Sequence, residues 1–188
     1  LSGPPPPAAA GAPPAPRWYS PGSPIVRPRE RLNPSVEPWD GEPARVAGVA
    51  SLAGRVPLQP GADMQAVGTA LHAFLAADPR GPEAARMALA ARLARELGAS
   101  LAVSPHSMIV AADALWRWID GRWPGAVIHR EWPVRARIDV GGHERLVVGE
   151  ADLVVELPDG FVLVDHKSFP GDANERDRRL LEFAPQLA

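Results

Sequence analysis

The sequence predicts an α/β domain, a central sheet flanked by helices, with an extended proline-rich segment before it. Three observations carry this. Apolar residues recur every three or four positions through the middle of the chain, as they do on one face of a helix. Val, Ile and Leu then alternate with polar residues over positions 126–167, as they do in strands. Fifteen of the 23 prolines fall within residues 1–60, where regular structure is thereby disfavoured. Helices followed by a strand meander and a further helix argue against a regular βαβ repeat.

Residues 1–45, which open with Pro4 to Pro7, read as a linker or peripheral strap that Trp18, Tyr19 and Trp39 could pin to a neighbouring surface. Residues 46–188 read as the folded domain, with 46–60 as a loop laid along it. A first helix is expected over 62–77, with Met64, Val67, Leu71, Phe74 and Leu75 on one face, Asp63 as its cap and Asp78-Pro79 as its end. A second covers 82–98, from Pro82 in its first turn to Gly98. A third covers 105–120 behind Ser104, and its Met108, Ala112, Leu115, Trp116 and Ile119 form a core stripe. Strands follow over 126–140 and 145–167, with a turn at Pro158-Asp159-Gly160, and residues 173–188 return to helical character.

Composition sets limits. The absence of cysteine rules out disulfides, thiolate zinc sites and Cys-ligated clusters within this segment, and it fits a reducing cytoplasm. No apolar run approaches the roughly 20 residues that span a bilayer. A net charge of −2 argues mildly against a free-standing nucleic-acid binder. Arg130, Arg135 and Arg137, and then Arg176, Arg178 and Arg179, form basic clusters that charge alone assigns to solvated faces. The chain starts at Leu1 and ends in what reads as mid-helix, so a fragment of a longer protein is expected.

The chemistry concentrates in the second hairpin. Residues two apart in a strand share a face, so Asp165 and Lys167 point together. A turn at Asp159-Gly160 would set Asp152 opposite Lys167, and a turn at Pro158-Asp159 would set it opposite Asp165. Either register gathers Asp152, Asp165 and Lys167 on one face, and a three-residue loop or bulge would not. A buried ion pair or a strand end reaching solvent would account for the same three residues. Their chemistry also suits phosphodiester hydrolysis. Carboxylates hold a hard divalent cation, the cation polarises a phosphate and acidifies a bound water, and an ammonium stabilises developing charge.

Gly149-Glu150-Ala151-Asp152-Leu153-Val154, followed by Val162-Leu163-Val164-Asp165-His166-Lys167-Ser168, resembles the acid-bearing hairpin of the RecB/AddA-type nucleases of the PD-(D/E)xK superfamily. Gly68-Thr69-Ala70-Leu71-His72 resembles that family's upstream G-x-x-x-H helix, and Arg130-Glu131-Trp132-Pro133-Val134 its R-E-x-P-h strand. Gln186-Leu187-Ala188 resembles the start of its Q-x-x-x-Y motif, whose tyrosine would fall two residues beyond Ala188. The likeness covers residues 64–188. His166 stands where the family more often has tyrosine, and Ser168 where it has threonine; neither is expected to touch a ligand.

The resemblance implies a restriction-endonuclease-like mixed sheet, cut short within its C-terminal helix. It implies a Mg²⁺-dependent deoxyribonuclease, with Mn²⁺ as a substitute. His72, Asp152 and Asp165 would be metal ligands, Lys167 the catalytic cation, and Glu131 and Gln186 supporting residues. Implied partners are single-stranded DNA and a UvrD-like helicase motor in the same parent chain, and the resemblance allows a second helicase–nuclease subunit. The implied setting is the bacterial cytoplasm, at the nucleoid, in double-strand-break repair. No Walker-type phosphate loop occurs, so unwinding lies outside these residues. A catalytically silent DNA-binding module and a standalone exonuclease of the same superfamily are the alternatives.

Overall fold

A computed structural model describes residues 31–32, 48, 50–140, 142–168, 175, 178–179 and 182–183. Helix α1 spans Met64–Ala77, α2 spans Glu83–Glu96 and α3 spans Pro105–Arg122. Strand β1 is Arg31–Leu32, β2 is Val127–Val140, β3 is His143–Leu157 and β4 is Gly160–Val164. Most of the proline-rich stretch and Gln186 lie outside the described residues.

Local chemistry sets the helix ends. Asp63 Oδ1 accepts from the backbone N–H groups of Gln65 and Ala66, two donors that have no partner within α1. Asp78 stops α1 because the residue before a proline is pushed out of helical geometry. Pro82 caps α2 instead of occupying its first turn, and Gly98, at φ +74°, takes the left-handed conformation just past its end. Ser104 Oγ accepts from the Ser107 N–H, with Pro105 first in α3.

β2, β3 and β4 form an antiparallel sheet, and the two residues of β1 add in parallel at Leu146 and Val147. β3 is central, with β2 along one edge and both β1 and β4 along the other. Leu157 pairs with Gly160, so the turn residues are Pro158 and Asp159. Leu153 pairs with Val164, which makes Asp165 the next residue opposite Asp152. The ladder ends at Val164, so Asp165–Lys167 follow the strand as an extended segment and do not continue it as expected.

Val67, Ala70 and Phe74 of α1 bury against Met108, Ala112, Trp116 and Ile119 of α3 and against Leu153 and Val155 of β3. Ile128, Val162 and Val164 extend this sheet face. The described helices do not enclose the sheet on both sides. Phe161 and Leu163, on the alternate positions of β4, stay exposed. Val56 and Leu58 of the preceding loop pack on the core, and a bridge from Leu58 to Val103 ties that loop down. No helix among the described residues is long and apolar enough to cross a membrane.

Candidate functional site

Two contacts bring α1 and the strands together. The first is a buried polar knot. Asp78 is fully buried and accepts from Arg86 Nε and Nη2, both at 2.8 Å, from Trp116 Nε1 at 2.9 Å and from the Arg80 N–H. Burial alone would raise its pKa; the hydrogen bonds from Arg86 and Trp116 outweigh that and hold the carboxyl below its ordinary range. Arg130 of β2 donates to the Asp78 carbonyl and lies 4.7 Å from the centre of the Trp116 ring. The solvated face expected for Arg130 is therefore wrong: its guanidinium docks β2 onto the end of α1. Arg178 and Arg179 do behave as surface charges, paired along their own helix turn with Glu175 and Glu182. Arg176 lies outside the described residues.

The second contact is at Gly68. A Cβ there would lie 2.3 Å from Ser168 Oγ. The bare helix surface lets the segment after β4 lie directly on α1, one helical turn before His72. The glycine of the G-x-x-x-H stretch therefore has a steric reason.

Between these contacts the ionisable groups gather. His72 Nε2 lies 2.9 Å from Glu131 Oε1 and 3.5 Å from Asp152 Oδ1. The His166 N–H donates to Asp152 Oδ2 at 2.6 Å, and His166 Nδ1 lies 3.6 Å from the same oxygen. Lys167 Nζ lies 2.9 Å from Asp165 Oδ1 and 5.3 Å from the Phe183 ring centre. A cleft of about 590 Å³ opens here, lined by Gly68, His72, Glu131, His166, Lys167 and Ser168. Asp152 and Asp165 are not among its lining residues.

Glu131 has φ +48°, the left-handed region, within a strand. Such a conformation costs a non-glycine residue roughly 1–3 kcal/mol and persists where surrounding structure imposes it. The ladder skips the pair Glu131–Asp152 while keeping its neighbours Arg130–Leu153 and Trp132–Ala151. The ladder is thus distorted where two carboxylates would otherwise face each other.

Two participants were missed in the sequence. Glu150 shares a face of β3 with Asp152, and its carboxyl stands in the field of Glu131. The nearby Glu131 carboxyl is the main reason its pKa is raised, with desolvation adding to it. Period-two spacing from Asp152 was the available signal. His166, expected to touch no ligand, is tied to Asp152 twice. Burial lowers its pKa, more than the attraction of Asp152 raises it, and its Nε2 is buried with no hydrogen-bond partner among the described residues. A side chain midway between Asp165 and Lys167 should face away from both, so alternation concealed it.

The carboxylate oxygens are donors of the type a hard divalent cation takes. The expected trio is nevertheless not drawn onto one point. Asp165 turns to Lys167, His72 turns to Glu131, and no group of three or more His, Asp or Glu among the described residues has metal-holding geometry. Searches of protein-family models and of curated proteins find no match to this chain.

Proposed function

We propose that this chain is a Mg²⁺-dependent deoxyribonuclease domain that hydrolyses phosphodiester bonds of single-stranded DNA, of the RecB/AddA type within the PD-(D/E)xK superfamily and with a restriction-endonuclease-like sheet. The observation that carries this reading is the meeting of three separate sequence stretches on Asp152: His72 from α1, Glu131 beside it from β2, and His166 from the segment holding Asp165 and Lys167.

Asp152 and Asp165, with His72, would hold the cation. When bound, the cation supplies Lewis acidity toward a phosphate and a water of lowered pKa. The chain's own residues do the rest. The ammonium of Lys167 stands at the cleft wall, where it can meet negative charge developing on a phosphate. The His166 N–H fixes one oxygen of Asp152, leaving Oδ1 toward His72. Glu131 orients the His72 ring and would release Nε2 on cation binding. The setting would be a helicase–nuclease of double-strand-break repair in a bacterial cytoplasm, with the motor feeding the strand. That arrangement would relax the need for a basic domain surface.

A second reading, a silent DNA-binding module, is favoured by the lack of a ready three-donor set among the described residues. Cleavage of labelled single-stranded DNA with Mg²⁺ or Mn²⁺, by a protein extended past Ala188, separates the two. Asp165→Ala and Lys167→Ala are expected to abolish cutting while leaving thermal unfolding unchanged or raised. Cutting by both variants at the parent rate would remove the site assignment, and metal binding without any cutting would favour the silent module.

A further inference from the structure

Trp132 follows the strained Glu131 directly and is 46% exposed, a large apolar surface for a strand residue. Strict alternation would put Trp132 and His129 on opposite faces of β2. Their ring centres are instead 4.3 Å apart, tilted by 56°. The left-handed φ of Glu131 lies between them, where the pair Glu131–Asp152 is missing from the ladder. His129 is in turn held by Glu156 at 2.7 Å. The residue paired with Trp132 is Ala151, too small to cover an indole. β2 is also an edge strand among the described residues, so the rings are approached from outside the sheet.

Farther along the same strand, Arg135 and Arg137 are both exposed; the register is the same on both sides of Glu131, and they pair with Val148 and Leu146, on the same alternating set of β3 as Val154 opposite His129. Two residues of strand set them about 6.8 Å apart, on the order of one step between phosphates of an extended nucleic-acid strand. An aromatic platform beside a short cationic track is the combination that holds single strands. The ring takes the base whatever its identity, and the guanidinium groups take the backbone. Stacking carries no net charge, so the nearby carboxylates do not oppose it.

We infer that Trp132, backed by His129, is a stacking platform for one unpaired nucleobase next to the candidate site, with Arg135 and Arg137 holding the phosphates that lead away from it. This rests on the nuclease reading for its substrate, but it is tested without cleavage. The readout is binding of a fluorescent oligo-dT in EDTA, measured by anisotropy beside an abasic oligomer of equal length and charge. The parent protein is expected to prefer oligo-dT by about 5- to 150-fold, the effect of one base stacked on one aromatic ring. Trp132→Ala should bind both oligomers alike, and Trp132→Phe should keep the preference. Arg135→Ala with Arg137→Ala should leave the preference intact and make the salt dependence shallower by about 1.4 in log–log slope, roughly 0.7 for each phosphate contact. An undiminished preference in Trp132→Ala, or no preference in the parent protein, overturns the platform. Absence of cutting in Mg²⁺ by a protein that still shows the Trp132-dependent preference sinks the nuclease reading alone.

Discussion

The left-handed backbone of Glu131 can be measured by a pair of substitutions. At an ordinary strand position alanine is more stabilising than glycine by roughly 0.5–1 kcal/mol, because glycine loses more chain entropy on folding. At φ +48° an L-residue carries a steric penalty of roughly 1–2 kcal/mol that glycine does not. Glu131→Gly and Glu131→Ala both remove the carboxylate that bonds His72, so that loss cancels between them. The same pair at Arg135, an exposed position of the same strand without positive φ, supplies the entropy reference. Subtracting the two glycine–alanine differences leaves the steric term alone, about 1–2 kcal/mol in favour of glycine at 131. Urea unfolding of the four variants, at matched slope, reads it as a shift in midpoint. A double difference near zero, or one favouring alanine at 131, would refute the strained conformation and the argument that β2 is distorted to serve the cluster.

Asp78→Asn removes the charge that Arg86 and Trp116 hold inside the knot. Breaking such a pair costs about 3–5 kcal/mol, and the low end is expected because Arg86 keeps Asp113 at 2.7 Å; a thermal melt should show the loss. Because the folded pKa of Asp78 lies below its unfolded value, its contribution is complete above the unfolded value of about 3.9 and fades as pH falls toward the lower folded value. The parent protein should therefore lose stability over that acid range more steeply than Asp78→Asn. Gly68→Ala should destabilise by about 1–3 kcal/mol through overpacking. Ser168→Ala should rescue it, since the clash is with Oγ while Ser168 Cβ would sit at an ordinary 3.7 Å; independent, additive effects in calorimetry would contradict that contact.

The elements were legible where one local rule governs. Helical spacing, Asp63, Ser104 and the proline stops marked all three helices, and Pro158-Asp159-Gly160 marked the turn that orders β3 and β4. Hairpin arithmetic left two registers open, and the structure adopts the one that sets Asp165 opposite Asp152. What stayed hidden depends on partners distant in sequence. Asp78 read as a helix stop, and nothing nearby signals that Arg86, Trp116 and Arg130 converge on it. Glu131 read as a strand charge, because propensity does not reveal a left-handed φ imposed by neighbours. His166 read only as a replacement for the family's tyrosine, and strand alternation, which lapses beyond Val164, would not have turned it toward Asp152.

The two polar clusters of this molecule differ in a way that bears on function. Around Asp78 each buried charge is met: two arginine nitrogens, an indole N–H and a backbone N–H fill the carboxylate, and Arg86 has a second acid. Around Asp152 the same chain tolerates a left-handed glutamate, a skipped strand pair, a glutamate whose pKa is raised by a neighbouring acid and an imidazole nitrogen with no partner among the described residues. The left-handed residue and the unpartnered nitrogen each cost on the order of 1–3 kcal/mol, against a whole-domain stability of about 5–15 kcal/mol. A fold able to satisfy Asp78 so fully is not short of means to satisfy Asp152. Departures from local rule that cluster at one cleft, while structure elsewhere obeys them, mark groups kept for a ligand rather than for stability. Removing a carboxylate there should leave the fold as stable as before or more so, whereas removing Asp78 should weaken it.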